Sequence, residues 1–132
     1  MKPLLICLSL SAIFFAGHAA PPLAPVVAPE VAYADLEWKD DVYLMGGKPF
    51  TGVARDKHKD GTPKAEYPFR AGKLHGVVRE WWDNGKLSTE THFDNGQRHG
   101  LNRYWDKTGK LMKEQVYDHD KSISEKHFDT EK

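Results

Sequence analysis

From Val42 onward the chain alternates apolar and polar residues in short arms. His75–Trp82 reads HGVVREWW and Lys86–Phe93 reads KLSTETHF, with Asp83-Asn84-Gly85 between them and Asp94-Asn95-Gly96 after them. Arms of this length, rich in β-branched and aromatic residues and broken by Asn-Gly, predict antiparallel strands joined by hairpins. Lys107-Thr108-Gly109 stands at the matching turn further on. Thr resists positive φ, so a type I turn followed by a glycine bulge fits both turns better than a two-residue type I′ turn. Such a loop predicts that odd-numbered residues share the more apolar face: Val77, Arg79, Trp81, Leu87, Thr89 and Phe93, then Leu101, Arg103, Trp105, Leu111, Lys113 and Tyr117. The opposite face would carry Val78, Glu80, Trp82, Glu90 and His92, then Asn102, Tyr104, Met112, Glu114 and Val116.

The pattern repeats at a spacing of 24. Gly52, Gly76 and Gly100 fall in register, as do Gly61, Gly85 and Gly109. Arg55, Arg79 and Arg103 form a third column, Glu66, Glu90 and Glu114 a fourth, and Phe69, Phe93 and Tyr117 a fifth. A helical repeat would need units of roughly 33–47 residues without such frequent glycines. The expected fold is therefore all-β, an elongated antiparallel β-meander of repeated ~24-residue hairpins. Its units run at about 47–71, 72–95 and 96–119, with a degenerate cap over 120–132. In that cap Asp120 replaces a turn glycine and Ser124 the strand glycine. A polar last unit ends a sheet without offering a sticky edge.

What precedes the repeats has another character. Leu4–Ala16 is apolar apart from two serines, follows Lys2, and leads to small residues at Gly17 and Ala19. That is the three-part pattern of a signal peptide over residues 1–19, and it is shorter than the roughly 20 residues of a spanning helix. Residues 20–34 hold four prolines among Ala and Val, as an extended tether would, leaving 35–132 for the repeat domain. The expected location is outside the cytoplasm, in the periplasm or cell envelope or secreted. Cleavage after Ala19 would remove the single cysteine, Cys7, so the exported part would carry no thiol to mispair.

Charge narrows the function. Lys and Arg number 19, Asp and Glu 19, and the net charge is zero. A nucleic-acid binder needs a basic surplus to displace counterions, so that class is excluded. A polybasic lipid-binding patch is missing as well, which leaves membrane association weak.

The stretches GKLHGVVREWWDNGKLSTETHF (72–93) and GQRHGLNRYWDKTGKLMKEQVY (96–117) resemble the bacterial MORN-repeat-variant proteins, often called YwqK-like. Gly47-Lys-Pro-Phe-Thr-Gly52 resembles that family's opening repeat. The resemblance implies a β-meander that contacts proteins or membranes without catalysing a reaction. It also implies an antitoxin label of the kind such proteins often bear. The matching columns are structural, so no residue's role carries over.

Candidate chemistry is sparse. No nucleophile elbow, P-loop or HExxH occurs, and no enzyme or cofactor is expected. His75 and His99 precede glycines at the same repeat position, which reads as structural, and no metal is expected. The Arg and Glu columns read as cross-strand partners on a half-solvated sheet. The aromatic residues are different, because a single-layer sheet cannot bury both faces and exposed rings mark interaction sites. Trp82, Tyr104 and Met112 are the candidate partner-binding residues, with Glu80, His92 and Arg79 nearby. The expected function is that of an exported, non-enzymatic protein-binding module of the antitoxin or immunity type. The alternative is an envelope structural or membrane-peripheral repeat protein.

Overall fold

The computed structural model describes residues 28–128. The expected signal segment, most of the expected tether and residues 129–132 lie outside the described residues. The strands are β1 (Glu30–Ala32), β2 (Glu37–Lys39), β3 (Val42–Met45), β4 (Lys48–Pro49), β5 (Gly52–Lys57), β6 (Pro63–Arg70) and β7 (Lys73–Leu74). They continue as β8 (Gly76–Trp81), β9 (Leu87–Asp94), β10 (Gln97–Arg98), β11 (Gly100–Trp105), β12 (Leu111–Asp118) and β13 (Lys121–His127). The main sheet runs β1-β5-β6-β8-β9-β11-β12-β13, with β7 added to β6 and β10 to β9. A small sheet, β2-β3-β4, forms its own ladder and packs on the main one through Tyr43, whose N–H donates to Gly72 O at 2.8 Å. Apart from the parallel β1–β5 pair, the strands of the main sheet pair antiparallel, so the chain is the all-β meander its pattern predicts.

Two kinds of turn alternate along the meander. At Asp83-Asn84-Gly85 the Gly85 N–H donates to Trp82 O at 2.9 Å and the Trp82 N–H to Lys86 O at 2.8 Å. Gly85 sits at φ 81°, and Gly61 and Gly109 take the matching place at φ 86° and 91°. This is the expected turn with a glycine bulge. Ala71-Gly72, Asn95-Gly96 and His119-Asp120 instead have both central residues at positive φ, as two-residue type I′ turns require.

The expected assignment of faces is overturned by a second bulge. Register slips between Glu80 and Trp81, so that Glu80 faces Thr89 while Trp81 faces Leu87, with Ser88 left over. The same slip recurs at Asp56/Lys57 and Tyr104/Trp105, leaving Lys64 and Met112 as the extra residues. One added residue reverses the alternation of everything beyond it. Val78 therefore shares a face with Thr91, and Arg79 shares the other with Glu90.

The inner face carries Ala54, Tyr67, Val78, Thr91, Asn102 and Gln115 in one cross-strand row, and most of the buried side chains lie on this face. Beside that row the aromatic residues pair with glycines: Phe69 opposite Gly52, Phe93 opposite Gly76, and Tyr117 opposite Gly100. The outer face carries the charges. Arg55, Glu66, Arg79, Glu90, Arg103 and Glu114 follow one another across successive strands, and Lys126 extends the row at β13. Arg55 bonds Glu30 at 2.9 Å and Glu66 at 3.1 Å, Arg79 bonds Glu90 at 3.1 Å, and Arg103 bonds Glu114 at 3.0 Å. The arginine side chains remain about two-fifths exposed, so each pair adds at most about 1 kcal/mol.

The fold begins earlier than the expected boundary at residue 35. Glu30–Ala32 forms β1 on the edge of β5, and the Val53 N–H donates to Pro29 O at 2.9 Å. Val31, Tyr33 and Leu36 then pack on the core of Phe50, Ala54 and Phe69, together with Tyr43, Tyr67 and Leu74. Gly52 permits this approach, since a Cβ there would lie 2.4 Å from Pro29 O. A proline-rich composition predicted a free spacer, yet its last residues supply a strand and a ring to the hydrophobic core.

Candidate binding cleft between the units

Successive units are tied through their turns. The Trp82 indole N–H donates to Trp105 O at 3.1 Å, and Asn84 Nδ2 donates to Lys107 O at 2.8 Å. Lys86 Nζ adds a bond to Thr108 O at 2.6 Å. One unit earlier, His58 Nε2 bonds Trp81 O at 3.1 Å, so a histidine does at 58 what the indole does at 82. Trp82 is thus a structural donor as well as an aromatic surface.

Beside these ties a cleft of about 570 Å³ opens, with Glu80, Trp82, Thr89, Tyr104, Trp105 and Lys107 among its lining residues. Glu80, Thr89 and Tyr104 share one row of the inner face, because Thr89 is paired with both others. The Thr89 hydroxyl donates to Glu80 Oε2 at 2.6 Å and holds that carboxylate at the cleft. Lys107 bonds Asp83 at 3.1 Å and stands 5.6 Å from the centre of the Trp82 ring. Its ammonium keeps the Asp83 carboxyl below the usual range. Burial pushes the Tyr104 phenol upward, and nearby Tyr117 adds to this, so the ring keeps its proton. The Lys113 ammonium lies 4.5 Å from that ring's centre.

Of the six candidate residues, the structure brings Glu80, Trp82 and Tyr104 together in this cleft. Arg79 and His92 belong to the opposite face, where Arg79 pairs with Glu90 and His92 lies across from Val77. Met112 is the extra residue of the last repeated bulge and lines no part of the cleft. Sequence reasoning missed Trp38, a residue 57% exposed beside a groove with Tyr43, Leu74 and Asn95. Trp38 stands outside the 24-residue columns, and its only signal was an aromatic residue ahead of the first unit.

Among the described residues no helix is long and apolar enough to cross a membrane. The MORN repeat variant family matches residues 74–95 and 98–119, so the chain carries two such repeats. The first unit, which that match does not include, has the same bulge and the same Arg–Glu pair. No curated protein matches. A solved structure titled crystal structure of accessory secretory protein 1,2 and 3 in Streptococcus pneumoniae is similar at 19% identity, with a TM-score of 0.37. The similarity covers 72% of this chain and 21% of that one, so the chain spans about a fifth of that relative's length.

Proposed function

We propose that this chain, with its two MORN repeat variants, is an exported, non-enzymatic module that binds a protein partner in the cleft beside Trp82 and Tyr104. The observation that carries this reading is the cleft itself: large rings held partly exposed on a one-layer sheet, flanked by Glu80, Asp83 and Lys107. Trp and Tyr with charged neighbours make the dominant anchors of protein interfaces. An antitoxin or immunity role is the finer form of the reading, supported by the YwqK-like sequence resemblance. The test is capture from an extracytoplasmic extract by wild type, by Tyr104→Ala, and by Leu101→Ser on the opposite face. Binding lost with Tyr104→Ala and kept with Leu101→Ser supports the cleft. The reverse pattern moves the interface to the outer face, and salt-resistant sedimentation with protein-free vesicles would favour a membrane-peripheral role instead.

A further inference from the structure

At one turn the last repeated unit departs from the one before it, adding a histidine beside a His–Asp pair that both units carry. His99 precedes the strand glycine of β11, Asp118 ends β12, and His119 is the first residue of the type I′ turn. His99 Nδ1 lies 3.3 Å and His119 Nδ1 2.6 Å from the same oxygen, Asp118 Oδ1, and the two rings are 4.5 Å apart. We propose that His99, Asp118 and His119 form a site for a divalent transition-metal ion of the zinc or copper type.

Three donors, two imidazole nitrogens and one carboxylate oxygen, fall within 4.8 Å of one another. Tetrahedral ligands at about 2.0–2.1 Å from zinc are about 3.3 Å from each other. His99 and Asp118 already stand at that spacing, and a small rotation of the His119 ring opens the shorter contact. All three side chains are about half exposed, so an ion can reach them and water can complete its coordination. Imidazole with a carboxylate suits zinc and copper, and magnesium prefers an all-oxygen shell.

The preceding unit supplies the contrast. There His75 Nδ1 lies 3.2 Å from Asp94 Oδ1, while Asn95 occupies the turn position and offers no imidazole. In the last unit that position holds His119 at φ 47°, a conformation in which Asn or Gly is the easier choice. The residue after it is also changed, since Asp120 stands where Gly72 and Gly96 stand in the other turns. Its carboxylate accepts from Arg98 Nε at 2.9 Å and from the Arg98 backbone N–H at 3.1 Å, while the Asp120 N–H donates to Arg98 O at 2.9 Å. Arg98 is itself stacked on Tyr117, 4.3 Å from the ring centre. The turn that presents His119 is therefore fixed in place, as a ligand site requires.

The experiment titrates the untagged whole chain with Zn²⁺ against a chromophoric chelator, then with Cu²⁺ and with Mg²⁺. Wild type is expected to bind a single equivalent of Zn²⁺ or Cu²⁺ and no Mg²⁺. His119→Asn restores the residue of the preceding turn, so the fold should survive while affinity falls at least about tenfold. Asn95→His places the same three donors one unit earlier and should add a second equivalent. Equal binding by wild type and His119→Asn, at unchanged thermal midpoint without metal, would overturn the proposal. So would an Asn95→His chain that binds no more ion than wild type.

Discussion

The fit between neighbouring units can be tested at a single buried amide. Asn102 is 0% exposed, and its Oδ1 accepts the His92 backbone N–H at 2.9 Å. The β9–β11 ladder pairs only Arg103 with Glu90 and Tyr104 with Thr89, so the side chain substitutes for a backbone acceptor beyond the ladder's end. Nδ2 of Asn102 finds no partner among the described residues, and His92 Nδ1 bonds Leu101 O. One unit earlier the matching residues are Pro68 and Val78. The β6–β8 ladder is equally short, but proline has no N–H to satisfy, and an apolar side chain suffices. Each unit is thus consistent within itself. Asn102→Val alone leaves the His92 N–H unmatched but also removes the partnerless Nδ2, two opposed effects that nearly cancel. His92→Pro alone leaves the whole Asn102 amide without a partner. The double variant reproduces the earlier unit and leaves neither group unmatched. An unmet buried hydrogen-bonding group costs about 1–3 kcal/mol, and His92 is only half buried. The double variant should therefore be about 1–2 kcal/mol more stable than the sum of the single effects. Urea unfolding of the four chains measures this directly. Additivity within about 0.5 kcal/mol would refute the pairing of the two positions.

Three further outcomes follow from the same geometry. A chain starting at residue 35 loses β1, Val31 and Tyr33, and should unfold about 3 kcal/mol more easily than one starting at residue 20, measured by urea midpoint. An equal midpoint would return those residues to the tether. Gly85→Val puts a β-branched residue at φ 81° with no atom within 4 Å of its Cβ, so the loss of roughly 1–2 kcal/mol is backbone strain alone, and Gly85→Asn should recover most of it. The pH response has two limbs. Asp120 is held low chiefly by the Arg98 guanidinium and Asp106 by the Thr108 hydroxyl, so their contribution is complete above about pH 4 and declines as pH falls below it. Burial raises the phenols of Tyr33, Tyr67 and Tyr104, so the native state keeps protons that the unfolded chain releases, and stability should fall as pH rises past about 10. A stability flat from pH 3 to 11 would contradict both limbs.

The meander, the repeat and the glycine turns were legible because each rests on a residue type with a strong local preference. Gly61, Gly85 and Gly109 do sit at positive φ, and the arms between them are strands. The faces were misread because a bulge leaves almost no mark in composition. Lys64, Ser88 and Met112, the three extra residues, share no side-chain property that would betray their position. This one slip separated His92 from Glu80 and Tyr104, whereas Arg79, next to Glu80 on β8, stood on the other face from the start. The docked end of the proline-rich stretch was hidden for another reason. β1 is three residues long and pairs in parallel with a strand some twenty residues away, a contact that no local pattern encodes.

The columns describe what every unit needs, so they are the wrong place to look for what distinguishes this chain. Along the outer face each complete unit adds one arginine and one glutamate, which makes the sheet extendable without accumulating charge. Glu30 closes that row at one edge, and Lys126 extends it at the other. The net charge of zero is thus partly a property of the repeat, and beyond excluding a nucleic-acid partner it does not point to any particular protein. Departures from the columns carry more. Asn102 in place of valine follows from His92 in place of proline, so that departure is explained by packing within the unit. Asp120 in place of glycine is likewise explained locally, by its bonds to Arg98, but His119 in place of asparagine has no such explanation. His119 brings a second imidazole to the Asp118 carboxylate, beside that of His99. A difference between units that backbone geometry does not require is where a repeat protein has room for chemistry of its own.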